Sequence, residues 1–189
     1  MEEFIAYVLK FGNLNQQQID LITGKASVLD LSKDEYYWEA GKTVKQVGFL
    51  IDGVIRVYYY NNKGEEITRY FIDENHLILY GNTIDEVYTP SEYLAAITGC
   101  KLVVFSRRDW KDISDTIIGW DKIIQQIIAK HHSEKIERRS ELVSQDATTR
   151  YLEFIEKFPD LSNRIPLSYI ASYLGITQSS LSRIRKNIP

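Results

Sequence analysis

Residues 166–188 read PLSYIASYLGITQSSLSRIRKNI, and their spacing of small, glycine and apolar residues predicts a helix-turn-helix. Two helices that cross closely need a small residue at the contact, and Ala171 supplies it. The connection needs a residue that tolerates a positive backbone angle, and Gly175 stands four positions later. Ile170, Leu174, Ile176, Leu181 and Ile184 fall on the faces that pack together, and Pro166 suits the first turn of the leading helix. Thr177 is the expected cap of the second helix.

The outward face of that second helix is then Gln178, Ser179, Ser182, Arg183 and Arg185. These side chains suit a helix lying in a DNA major groove: glutamine pairs with adenine, arginine with guanine, and serine with bases or phosphate. Lys186 and the helix N-terminus, with Thr177 and Ser180, favour phosphates. A solvated polar helix face is the competing explanation. Charge points the same way as the side chains. Residues 161–189 hold Arg164, Arg183, Arg185 and Lys186 and no acid, so the other 160 residues carry −7 of the total −3. An acidic body with one basic tip is the pattern of a chain whose tip alone meets a polyanion.

The 189 residues are enough for one large domain or two small ones, and 26% charged with 44% apolar residues is an ordinary globular composition. No apolar run approaches the roughly 18–20 residues of a membrane span. The start, MEEFIAYVLKFGN, lacks the basic opening of a secretory signal, so a cytoplasmic protein is expected. Cys100 is the single cysteine, which excludes an intrachain disulfide and cysteine-rich iron–sulfur or zinc sites.

Residues 3–10 and 14–23 have helical spacing, with Asn15 a cap before the second. From Ala26 to Phe105 short Val-, Ile-, Tyr- and Phe-rich runs alternate with turns at Gly53 and Gly64, which predicts an antiparallel sandwich or barrel. Ser106 and Asp109 resemble a capping box that opens a helix. Beyond it Ile117, Trp120, Ile124, Ile127 and His131 repeat at 3-4-3-4 spacing, a coiled-coil seam, and Ile118, Ile123 and Ile128 form a second apolar flank. One flank can cover the β-domain, and the seam is expected to pair with a second copy; a core helix within one domain is the alternative. Residues 146–158 form a further amphipathic helix stopped by Pro159. The division expected is 1–112 for the β-domain with its leading helices, 113–144 for a long dimerisation helix, and 145–189 for the helix-turn-helix unit.

This order, together with GFLIDGVIRVYY and KGEE within residues 48–66 and IASYLGITQSSLSRIR at 170–185, resembles the Crp/Fnr family of bacterial regulators, most closely the Crp-type members of Bacteroidetes. The resemblance implies an α+β fold with an N-terminal antiparallel, jelly-roll-like β-roll, a homodimer, and a palindromic double-stranded DNA site read by Gln178, Ser179 and Arg183. RNA polymerase is the further partner it suggests. Two departures stand out. The family's Arg-Ser pair for a cyclic phosphate falls at Pro90-Ser91, and its Gly-Glu pair for the ribose at Leu79-Tyr80; Glu92 nearby would repel a phosphate. The effector pocket, lined by Tyr80, Gly81, Asn82, Ser91, Glu92 and Tyr93, is therefore expected to take a neutral or weakly charged ligand, or none, unless Arg69 or Lys101 replaces the missing cation. The chain also stops at Pro189, before the small hairpin usual after the recognition helix.

Two other classes compete. A cupin-type metal enzyme shares the strand texture but needs several histidines, and residues 26–105 contain His76 alone, while His131 and His132 lie on the long helix. A protein-interaction module, with the tail as its dimer contact, would not bind duplex DNA. No catalytic residue, cofactor or metal ligand is assigned, and the roll leaves room for a small-molecule effector.

Overall fold

The computed structural model describes residues 1–79, 89–138 and 145–188, with the backbone alone at 135–138. Two short helices, α1 (Glu2–Val8) and α2 (Gln16–Lys25), precede eight strands. These are β1 (Ser27–Leu31), β2 (Tyr36–Trp38), β3 (Gln46–Asp52), β4 (Ile55–Tyr60), β5 (Glu66–Ile72), β6 (His76–Ile78), β7 (Tyr93–Ala96) and β8 (Cys100–Ser106). They make two antiparallel four-stranded sheets, in the order β1-β8-β3-β6 and β2-β7-β4-β5. Helices α3 (Arg107–Thr116), α4 (Trp120–Arg138), α5 (Ala147–Lys157), α6 (Leu167–Tyr173) and α7 (Gln178–Asn187) follow.

The expected caps form. Asn15 and Gln18 make a reciprocal capping box on α2, and Ser106 Oγ accepts from the Asp109 amide at 3.0 Å to open α3. The β3–β4 turn depends on Gly53, at φ +104°, where a Cβ would collide with the Gly99 carbonyl.

Three packed layers result. Leu50, Ile55, Val57, Leu94, Ala96 and Leu102 fill the space between the sheets. The outer face of the first sheet presents Phe49, Val103 and Phe105 to Phe4, Tyr7, Trp110 and Trp120 of the helices. Phe4 sits 5.2 Å from both Phe49 and Phe105, so α1 is anchored by aromatic contact. The third layer is the C-terminal unit, in which Tyr151, Phe154, Phe158, Leu174 and Leu181 cluster with Val54, Phe71 and Ile97 of the roll. No helix among the described residues is long and apolar enough to cross a membrane.

The long helix differs from expectation in two respects. It begins at Trp120, because Gly119 takes φ +87° and Ile117 is extended at the end of α3; residues 113–119 therefore do not belong to it. The seam also turns inward. Ile117, Trp120, Ile124 and Ile127 are 2%, 0%, 8% and 0% exposed within the single chain, and His131 is bonded to Tyr7 of α1. The first sheet has an apolar outer face that must be covered, and α4 supplies the cover from the same chain. The four apolar residues of the seam are thus covered within the single chain, and His131 is half-buried.

Candidate nucleic-acid interface

α6 and α7 are joined by a turn in which Gly175 takes φ +65°, and the Ile176 amide donates back to the Ala171 carbonyl at 3.0 Å. Ala171, Ile170, Leu174 and Leu181 are buried where the helices meet, and Ile176 and Ile184 pack at the edge of the same cluster. Pro166 stands at the cap of α6, one residue ahead of the first-turn position expected. Thr177 caps α7: its Oγ1 accepts from the Ser180 amide at 3.1 Å.

Position on α7 sorts the basic tip. Leu181, Ile184 and Ile188 form the inward row. Gln178, Ser182 and Arg185 make one outward row at spacings of four and three; Ser179, Arg183 and Lys186 make the row beside it. Gln178, Ser179, Arg183, Arg185 and Lys186 are exposed, and Ser182 is half-buried. The hydroxyls of Thr177 and Ser180 lie 2.8 Å apart in the cap, so these two hold the helix N-terminus, and the other six form the face a ligand would meet. Arg185 and Lys186 in the last turn also oppose the helix dipole.

Arg164 is the exception among the four cations. Its guanidinium donates twice to Glu74, at 2.6 and 3.2 Å, on the loop before β6. Glu74 also accepts from the Gly53 amide at 2.9 Å. Partial burial pushes the Glu74 carboxyl up, but Arg164 and the backbone amides pull it down further, so it titrates below the ordinary carboxylate range. Arg164 therefore ties the C-terminal unit to the roll and is not part of the outward face.

A second tie was not visible in the sequence. The Thr68 amide on β5 donates to Ser172 Oγ at 3.0 Å, and Ser172 donates to the Glu66 carbonyl at 3.2 Å. Beside it the buried Arg56 lies 4.0 Å from the Tyr169 ring and 4.3 Å from the Tyr58 ring, bonded to Thr68 Oγ1 and to Glu66. Alternation along β4, with Ile55 and Val57 inward, was the only available signal that Arg56 faces out.

Of the residues named for an effector, Ser91, Glu92 and Tyr93 are described. Tyr80, Gly81 and Asn82 lie outside the described residues. Ser91 is exposed. Glu92 is buried and ion-paired with Arg69 at 2.6 Å, while Arg69 also reaches over the Tyr59 ring. Tyr93 stacks on Tyr58 at 5.2 Å on the face opposite its neighbour Leu94, which belongs to the roll interior. Tyr93 therefore does not line the interior, because side chains alternate along β7. Lys101 is exposed on β8.

No family model and no curated protein matches the sequence. Solved structures do resemble the fold. The chain has the fold of Crp/Fnr-type regulators, with the α+β arrangement of roll and helix-turn-helix expected from the sequence. FixK2 from Bradyrhizobium japonicum superposes with a TM-score of 0.73 at 15% identity over 85% of this chain and 83% of that one. The c-di-GMP-responsive global regulator CLP of Xanthomonas campestris gives 0.71 at 15% identity over 91% and 90%. A Crp/Fnr-family transcriptional regulator from Eubacterium rectale gives 0.70 at 17% identity over 92% and 82%.

Proposed function

We propose that this chain is a sequence-specific DNA-binding transcription regulator, with no enzymatic activity, acting in the cytoplasm. The observation that carries the reading is the outward face of α7, where Gln178, Ser179 and Arg183 stand exposed on a helix with no acid. Arginine and glutamine on such a face supply the two bidentate base contacts that discriminate most strongly in the major groove. Selecting bound sites from random duplex DNA with purified protein tests it directly. A recovered consensus, with affinity that falls steeply as salt rises, supports the reading, and the absence of any enriched site removes it.

The active species is a homodimer on a palindromic operator, with recognition helices roughly 34 Å apart. Its contact surface is the outward row of the α4 region, since the inward seam is already covered. That row runs Lys122, Gln125, Ala129 and His132 at 3-4-3 spacing, and Ile118, in the turn just ahead of the helix, is 99% exposed. Light scattering that finds a monomer with and without DNA counts against pairing; Ile118→Glu is expected to weaken it. RNA polymerase is the further partner in this reading.

The roll is not built for a cyclic phosphate. Arg69, the nearest candidate to replace the absent arginine, is paired with the buried Glu92. A phosphate there would have to displace a charge partner and leave Glu92 uncompensated, at a cost of several kcal/mol. Calorimetric titration with cyclic AMP and cyclic GMP is the check, and micromolar binding of either overturns this part of the reading.

A further inference from the structure

Three side chains from two distant parts of the chain converge where α4 crosses the edge strand β6. His76 opens β6, while His131 and Glu134 lie three residues apart on α4 and so share a face. One ligand-type atom from each lies within 4.8 Å of the other two. The imidazoles of His76 and His131 stand 4.7 Å apart, inclined by 32°, and His76 Nε2 lies 3.5 Å from Glu134 Oε2. All three groups are half-buried.

The surroundings orient these atoms toward one another. His76 Nδ1 sits 3.1 Å from the Asp73 carbonyl and 2.9 Å from the Asp73 carboxylate. Both partners are acceptors, so Nδ1 carries the proton, and in the neutral ring Nε2 presents a lone pair. That lone pair faces Glu134 Oε2, another acceptor, at a distance beyond an ordinary hydrogen bond. Lys130 stands 3.6 Å from the other oxygen of Glu134, and Tyr7 Oη meets His131 Nε2 at 2.8 Å. Two facing lone pairs repel, and a metal ion placed between them would accept both. A histidine that donates Nδ1–H to a carboxylate and carbonyl while aiming Nε2 at a second donor set has the outer partners of a metal ligand.

We propose that His76, His131 and Glu134 bind a transition-metal dication of the zinc class, with a fourth position left to water. Two imidazoles and one carboxylate suit zinc, whereas magnesium and calcium prefer all-oxygen sets. Donors about 2.0–2.2 Å from a tetrahedral ion lie about 3.4 Å from one another. The His76–Glu134 separation already has that value. The ion fastens α4, which precedes the DNA-binding unit, to the edge strand of the roll. The site involves no residue of α7, so it stands or falls independently of DNA recognition.

The test uses the full, tag-free chain, stripped with chelator and titrated with zinc sulfate by calorimetry, with metal content measured after dialysis. Cobalt(II) serves as a spectroscopic probe and magnesium as the control. About one zinc per chain is expected, retained against excess magnesium, with the visible absorption of a tetrahedral cobalt site. His131→Gln and Glu134→Gln should each weaken zinc binding at least about 10-fold, and Asp73→Asn about 10–100-fold, with circular dichroism confirming the fold. Occupancy below about a tenth at micromolar free zinc overturns the proposal on the wild-type chain alone. Undiminished binding in a folded His76→Gln/His131→Gln double variant overturns it equally.

Discussion

α4 and α7 are both amphipathic, and both carry residues at spacings that suggest contact with another molecule, yet they end in opposite situations. The seam residues Trp120, Ile124 and Ile127 of α4 lie in one buried cluster with Phe4, Phe49, Phe105 and Trp110 of the same chain. The outward rows of α7 remain in solvent, and only Leu181, Ile184 and Ile188 pack inward. An apolar stripe states that a face will be covered, because exposure costs about 25 cal/mol per Å², but it does not name the cover. A polar, acid-free face states something stronger. It gains little from burial in the same chain, so it stays outside and available to a charged partner.

The comparison can be broken most forcefully at Trp120, which is fully buried. Trp120→Ala is expected to destabilise the fold by about 3–5 kcal/mol in chemical denaturation, whatever the protein concentration. A midpoint that climbs with concentration in the wild type, and loses that dependence in the variant, would return the seam to a partner chain. On the other helix, Arg183→Ala should leave stability unchanged and weaken binding to a selected operator by about 1–3 kcal/mol, relaxing preference at one base position per half-site. Fluorescence anisotropy on the operator and its single-base variants reads both effects, and unchanged affinity and preference would remove α7 as the reading helix.

A smaller effect separates capping from contact within α7. Thr177→Ala removes the acceptor of the Ser180 amide and should cost about 1 kcal/mol of stability, whereas Ser179→Ala should alter DNA binding with stability nearly unchanged. Equal melting of the two variants would remove the distinction between cap and contact. The smallest effect concerns the tie between the C-terminal unit and the roll. Glu74 has a depressed pKa in the folded chain, so its contribution is full above the ordinary value near 4.5 and is lost as pH falls through the lower folded value. Because the pair is partly solvated, that contribution is at most about 1 kcal/mol. Glu74→Gln should flatten the acid limb of the stability curve below pH 4.5. An acid limb identical to wild type would show that Arg164 and Glu74 do not hold the units together.

Much of the architecture was legible because its signals are local. Asn15, Ser106 and Thr177 cap the helices they precede, Gly175 turns where a left-handed residue was needed, and the strand texture between Ala26 and Phe105 gives two antiparallel sheets. Gln178, Ser179, Arg183, Arg185 and Lys186 share a face by helical geometry alone, so that part of the candidate site could be drawn from the sequence. Arg164 could not be separated from them, since its partner Glu74 lies ninety residues earlier.

Sequence by itself determined the order of elements, their caps and turns, and the polar face of α7, because each depends on residues within one or two helical turns of one another. Tertiary structure alone decided that the seam of α4 is occupied from within, that Arg69 is matched to Glu92, and that His76, His131 and Glu134 meet. Each of these pairs a residue with one far along the chain, and a one-dimensional pattern gives the period and chemistry of a face but not the identity of what lies across from it.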